Sequence, residues 1–145
     1  MNGLNRFADP VFCITRLIVG LLFASHGGQK ILGFPPGGHG MPPGAMGALG
    51  AWIELVCGLL IAVGLLTRLA AFIASGEMAV AYFMVHAPGG FFPILNHGEP
   101  AVFYSWFFFF AIFYGAGMWS LDSLIFRRGA PAAATALLDI ERSIR

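Results

Sequence analysis

Glu54 and Glu77 each stand about midway along an apolar stretch long enough to cross a bilayer, residues 46–66 for the first and 69–85 for the second. A carboxyl at that depth can pair with a cation, move a proton or hydrogen-bond a ligand. An ionisable group near the bilayer centre costs roughly 2.5–3.5 kcal/mol on translocon-insertion scales, so it persists where it has a partner or a task inside a helix bundle. Arg16 is the cation whose level suits Glu77. Counted along each helix from the cytoplasmic edge, Arg16 falls at ~9 Å, Glu77 at ~13 Å and Glu54 at ~18 Å. An Arg16–Glu77 ion pair that locks helix register is therefore expected. Glu54 has no cation at its own level. It is expected either to draw on Lys30 or Gln29 above it, or to stay a neutral acid able to donate a hydrogen bond.

A second group of polar residues collects toward the outer end. Ser25, His26, Gln29 and Lys30 come from the first apolar segment, His86 ends the third, and Asn96, His97 and Glu99 lie in the loop that follows. They converge on one level from three parts of the chain, so the candidate ligand contacts are Glu54, His26, Gln29, Lys30, His86, Asn96, His97 and Glu99. His39 reads as an interfacial residue. Haem between His26 and His86, or zinc at His26, His86 and His97, is not supported by any spacing motif, and no metal is assigned. The sequence holds no dinucleotide fingerprint, Walker sequence or nucleophile elbow, so no catalytic residue is assigned. Cys13 and Cys57 form no CxxC or metal-spaced cluster and read as small hydrophobes.

The elements that must position these groups follow from composition. Hydrophobic residues make up 58% of the 145 residues, charged ones 10%, and there are 15 Phe. Soluble domains carry about 25% charged residues. Mean hydropathy is +0.80, and a net charge of +1 gives no sign of a nucleic-acid partner. Four apolar segments, about 11–32, 45–66, 69–86 and 101–119, each approach the ~20 residues that span a bilayer. The fold class is all-α, a four-helix transmembrane bundle. The first segment has no small-x-small cleavage site after it and reads as a retained anchor.

Small residues mark the packing faces: Gly47, Gly50, Ala51, Glu54 and Gly58 on the second helix, and Ala70, Ala74, Glu77 and Ala81 on the third. Arg16, Gly20, Ala24 and Gly27 do the same on the first. Thr67-Arg68 is a tight turn between antiparallel helices. The connector at 33–44 is rich in Pro and Gly, and the one at 87–100 carries Phe91, Phe92, Ile94 and Leu95, which favours folding back onto the bundle or into the interface. Arg6, Arg68, Arg127 and Arg128 share one side of a four-span chain, against Lys30 and Glu99 on the other, so both termini are expected to be cytoplasmic. Trp119 and the Tyr104/Trp106 pair sit near opposite ends of the fourth helix, as interfacial belts would. The run Trp106–Phe110 reads as a lipid-facing or packing surface. Residues 1–125 thus form one membrane domain and 126–145 a cytoplasmic tail, with a short interfacial helix over 132–145 as one outcome and a frayed end as the other.

Four runs in order, RLIVGLLFASHGGQK at 16–30, ELVCGLLIAVGLLTRLAAF at 54–72, AYFMVHAPGGFFPILNHGE at 81–99 and GMWSLD at 117–122, resemble the DoxX family of small bacterial membrane proteins over roughly residues 10 to 125. The resemblance implies four membrane helices in the bacterial cytoplasmic (inner) membrane. The family name comes from a relative that forms the membrane subunit of a thiosulfate:quinone oxidoreductase, and other members are linked to membrane-associated thiol and oxidative-stress systems. Its recurrent polar positions correspond here to Arg16, His26, Gly27, Lys30, Glu54, Arg68, His86, Asn96 and Glu99, none an established catalytic residue across the family. Without a paired cysteine motif, thiol chemistry would need a partner subunit.

Three functions compete. The first is a quinone-interacting membrane subunit of an oxidoreductase system. Quinone is then the one cofactor in view, and an oxidoreductase partner protein or soluble donor supplies the electrons. The second is small-solute or proton transport through Arg16, Glu77 and Glu54, which would require a homo-oligomer. The third is a membrane anchor or assembly protein without chemistry. The lipid bilayer is a partner in all three.

Overall fold

The computed structural model describes residues 3–38 and 40–126. The expectations placed on His39, on Arg127 and Arg128, and on a helix over 132–145 lie outside these residues. Among the described residues the fold is all-helical. A 3-10 turn at Asn5–Phe7 leads into α1 (Ala8–Leu32), followed by α2 (Gly44–Val63) and α3 (Thr67–Ala81). α3 runs on without a break through a π turn at Tyr82–His86 and a 3-10 turn at Ala87–Gly89. A short α4 (Pro93–Asn96), then α5 (Glu99–Tyr114) and a short α6 (Leu121–Ile125) complete the described chain.

Helix ends are set by glycine and by remote caps. α1 stops at Gly33 (φ 66°) and α2 at Gly64 (φ 71°), both left-handed, a conformation that costs glycine nothing. The turn into α3 puts a non-glycine residue, Leu66, at φ 49°. No local side chain caps α3. Asp122 does so from 55 residues away, accepting from the N–H groups of Leu66 (2.7 Å) and Thr67 (2.9 Å).

Three stretches, Asn5–Leu32, Gly44–Val63 and Thr67–Gly89, are long and apolar enough to cross a membrane, whereas α5 is apolar but only 16 residues long. The expected fourth span at 101–119 is therefore corrected at its end. Gly115 (φ 93°) and Gly117 (φ 77°) turn the chain after Tyr114, and the segment behind them packs against the start of α1. There Asp9 accepts from Tyr114 Oη (2.9 Å) and Met118 N (2.8 Å), and Cys13 Sγ accepts from Trp119 N (3.4 Å).

The long helices form two antiparallel pairs. α1 lies against α2 with almost no side chain between them: a Cβ on Gly20 would stand 2.6 Å from Ala62 N, and one on Gly58 2.5 Å from Ala24 N. Close glycine-mediated approach is how helices pack where lipid provides no hydrophobic drive between them. α3 and α5 are joined by Ser75 Oγ donating to Ser105 O (2.9 Å) and Ser105 Oγ to Ser75 O (3.1 Å). The pairs meet through the α2–α3 turn and through rings: Phe12 against Tyr114 (centroids 3.9 Å), and Phe23 against Phe108 (4.8 Å). Of the aromatic run, Phe108 is fully buried, while Trp106, Phe109 and Phe110 face outward.

Candidate ligand-binding cleft

The two ends of the bundle differ. At one end, here the floor, α1 begins, α5 ends and residues 115–126 close the bundle. Arg16, 2% exposed, belongs to this end. Its Nη1 donates to Ala62 O (2.8 Å) and to Ile61 O, and its Nη2 to Trp119 O (2.7 Å). Those α2 carbonyls close the helix and carry the negative end of its dipole, so the guanidinium acts as a C-terminal cap. Arg68 Nη1 ties α3 to Ile112 O (2.5 Å) nearby.

At the opposite end, the mouth, the pairs part around an open cleft of about 1360 Å³ whose wall is largely apolar. Lys30 and Glu54 meet inside it. Lys30 Nζ lies 2.6 Å from Oε1 and 2.7 Å from Oε2, with side-chain exposures of 26% and 6%. Of the partners expected for Glu54, Lys30 supplies the contact. Glu77 lines the same cleft, where its carboxyl packs on α2: a Cβ at Gly50 would lie 3.3 Å from Oε1. Its Oε2 is buried with no hydrogen-bond partner among the described residues. His26 and Tyr104 complete the polar wall, edge to face at 5.9 Å between centroids.

The expected Arg16–Glu77 pair does not form. Arg16 binds α2 at residues 61 and 62, whereas Glu77 packs on it at residue 50. Eleven residues of helix separate those levels by ~16 Å. Depths counted separately along each helix could not register this, because neighbouring helices slide past one another and Arg16 leans toward the start of α1.

The outer polar group is only partly gathered. His86 lines the cleft and stacks on Tyr82 (6.4 Å), and its Nδ1 donates to Asn96 O (3.1 Å). Asn96 is used up inside its own loop: Nδ2 donates to Gly90 O (2.6 Å), and Oδ1 accepts from Gly98 N (2.8 Å). Tyr82 Oη, donating to Phe91 O, holds the same loop to α3. His97 and Glu99 are exposed outside the cleft, and Gln29 sits beside Gly38 in the first connector. The three histidines considered for metal therefore do not surround one point.

Tyr104, whose position fits an interfacial belt, lines the cleft instead. A sequence signal existed, since Ala101, Tyr104, Phe108 and Ala111 share one face of α5, and all but Tyr104 are buried. Asp9, Asp122 and the Ser75–Ser105 exchange carried no local signal, because each acts across the fold.

Long apolar helices, small residues at their contacts and charges turned inward define an integral membrane protein of the helical-bundle class. The DoxX family profile matches residues 11–87, and the chain belongs to that family. An uncharacterized protein of Haemophilus influenzae is 41% identical over 134 residues, spanning 88% of this chain and 100% of that one. An uncharacterized membrane protein of Mycobacterium tuberculosis is 34% identical over 142 residues, 86% of each chain. No solved structure matches the chain significantly.

Proposed function

We propose that the protein holds a quinone-type ring ligand in the cleft between its helix pairs and serves as a membrane subunit of an oxidoreductase system. One observation carries this reading: an apolar cleft of about 1360 Å³ that contains the Lys30–Glu54 pair and the unpaired Glu77. Small-molecule sites are mostly apolar with a few convergent polar groups that orient the ligand, and they fall typically within 300–1,000 Å³. The larger volume here leaves room for part of an apolar tail. A flat ring with a polar edge and an apolar tail can reach groups this deep in a bundle, where a charged lipid headgroup pays heavily for desolvation. Lys30, His26 and Tyr104 supply donors for a ring carbonyl. In this reading the electrons are supplied by a partner protein or a soluble donor.

The same reading takes α1, α2, α3 and α5 as four crossings of the bacterial inner membrane, with residues 1–125 as the membrane domain and 126–145 as a cytoplasmic tail. An even number of crossings is supported by the contacts of Asp9 with Tyr114 and Met118, which bring the first and last helices to one end. Transport through Arg16, Glu77 and Glu54 gains no support, because Arg16 is engaged at the floor.

Thermal unfolding in mild detergent tests the ligand. A decyl-tailed benzoquinone should raise the midpoint of the wild type, and the rise should shrink in Glu54→Ala and His26→Ala. His26 is exposed and bonds to nothing else on the cleft wall except by ring contact with Tyr104, so its variant isolates binding from folding. An unmoved midpoint across several quinone analogues would leave the anchoring role as the better account.

A further inference from the structure

We propose that Glu77 makes the cleft selective for a ring hydroxyl over a ring carbonyl, so that the quinol form of the ligand is held more tightly than the quinone. This rests on the ring-ligand reading above and adds the oxidation state that the site favours.

The polar groups of the cleft divide into those already satisfied and those left open. Lys30 and Glu54 answer each other through both carboxylate oxygens, at 2.6 and 2.7 Å. Glu77 has no such answer: its Oε2 is buried without a hydrogen bond among the described residues, and the guanidinium of Arg16 is turned to three backbone carbonyls at the floor. A buried polar atom without a partner costs free energy, and a ligand that supplies the complementary group recovers it. The terminal torsion of a glutamate is soft, so a small turn of the carboxyl presents either oxygen to the cleft.

Hydroxyl and carbonyl differ in what they offer. A hydroxyl both donates and accepts, whereas a ring carbonyl only accepts. A hydroxyl therefore satisfies Glu77 in both of its protonation states, donating to the carboxylate and accepting from the acid. A carbonyl satisfies the acid alone and sets two acceptors face to face when Glu77 is ionised. The remaining groups do not discriminate in this way. Lys30 donates to either oxygen type, Tyr104 and His26 can do the same, and the oxygens of Glu54 are already engaged. The choice between oxidation states thus falls to Glu77.

Isothermal titration calorimetry under anaerobic conditions, with the wild type in detergent, compares a decyl-tailed benzoquinone with its quinol. The quinol is expected to bind about tenfold more tightly or better, the size of effect a hydrogen bond to a charged group provides. Glu77→Leu should bring the two affinities to within about twofold, chiefly by weakening the quinol. A tenfold preference equals a rise of about 30 mV in the midpoint potential of the bound two-electron couple, which a redox titration reads independently. Replacing an unpaired carboxyl by an apolar side chain of similar size in apolar surroundings favours folding, and Glu77→Met serves if the leucine variant aggregates. Equal wild-type affinities, or a preference that survives in Glu77→Leu, would overturn the selectivity while leaving the cleft reading standing. Absence of binding by both forms would overturn both.

Discussion

On α1 the Cα–Cβ bonds lean toward the floor and on α2 toward the mouth, since each leans toward the N-terminus of its own helix. Lys30 and Glu54 therefore reach toward each other across the pair, and Arg16 reaches down to the carbonyls that end α2. The pair is unequal, with Glu54 6% and Lys30 26% exposed. Removing Lys30 strands a nearly buried carboxylate, while removing Glu54 leaves an ammonium on a flexible stem that can turn toward the outer surface. Lys30→Met should consequently lower stability more than Glu54→Gln, toward the 3–5 kcal/mol seen when one member of a buried pair is lost. The double variant Lys30→Met/Glu54→Leu should recover much of that. Equal single losses that simply add in the double variant, read by thermal unfolding, would rule out this account of the pair.

Among the elements, glycines divide into those that permit helix contact and those that do not. Gly20 and Gly58 face backbone of the partner helix, whereas a Cβ at Gly76 on α3 would meet nothing within 4 Å. Gly58→Ala should cost about 1–3 kcal/mol by forcing α1 and α2 apart. Gly76→Ala should be neutral or stabilising, by up to ~1 kcal/mol, through helix propensity. If the two variants unfold at the same temperature, close packing of α1 on α2 is not what sets stability. The π turn at Tyr82–His86 belongs at this scale too. It ends α3 where Tyr82 and His86 must both bond to the loop that follows, and π turns of this kind recur at functional sites.

For the whole molecule, the consequence is a bundle tied at one end and open at the other. Arg16 and Arg68, donating to backbone carbonyls, and Asp9 and Asp122, accepting from backbone N–H groups, close the floor, while at the mouth the Lys30–Glu54 pair ties α1 to α2 and one loop is bonded to the end of α3. The orientation proposed above, in which the positive-inside rule sets the arginine-bearing floor on the cytoplasmic side, can be checked directly. In a background with Cys13 and Cys57 replaced, His97→Cys should then react with an impermeant maleimide from the outside, and Asn5→Cys from the cytoplasm alone. Labelling of position 97 only from the cytoplasm would reverse the topology.

Composition and small-residue spacing by themselves determined that this chain is a helical membrane protein, where its three longest helices lie and which faces turn inward. Those properties depend on local hydropathy and on the 3.6-residue repeat. The outer histidine, lysine and glutamate cluster was visible as a set, but not which of its members share a wall. Only the tertiary structure decided that Lys30, not Arg16, pairs with a glutamate, that Glu77 is left without a partner, and that Asn96, His97 and Glu99 stand outside the cleft. Pairing depends on how far antiparallel helices slide past one another and on where a chain turns after Gly115, and a sequence fixes neither until distant segments pack.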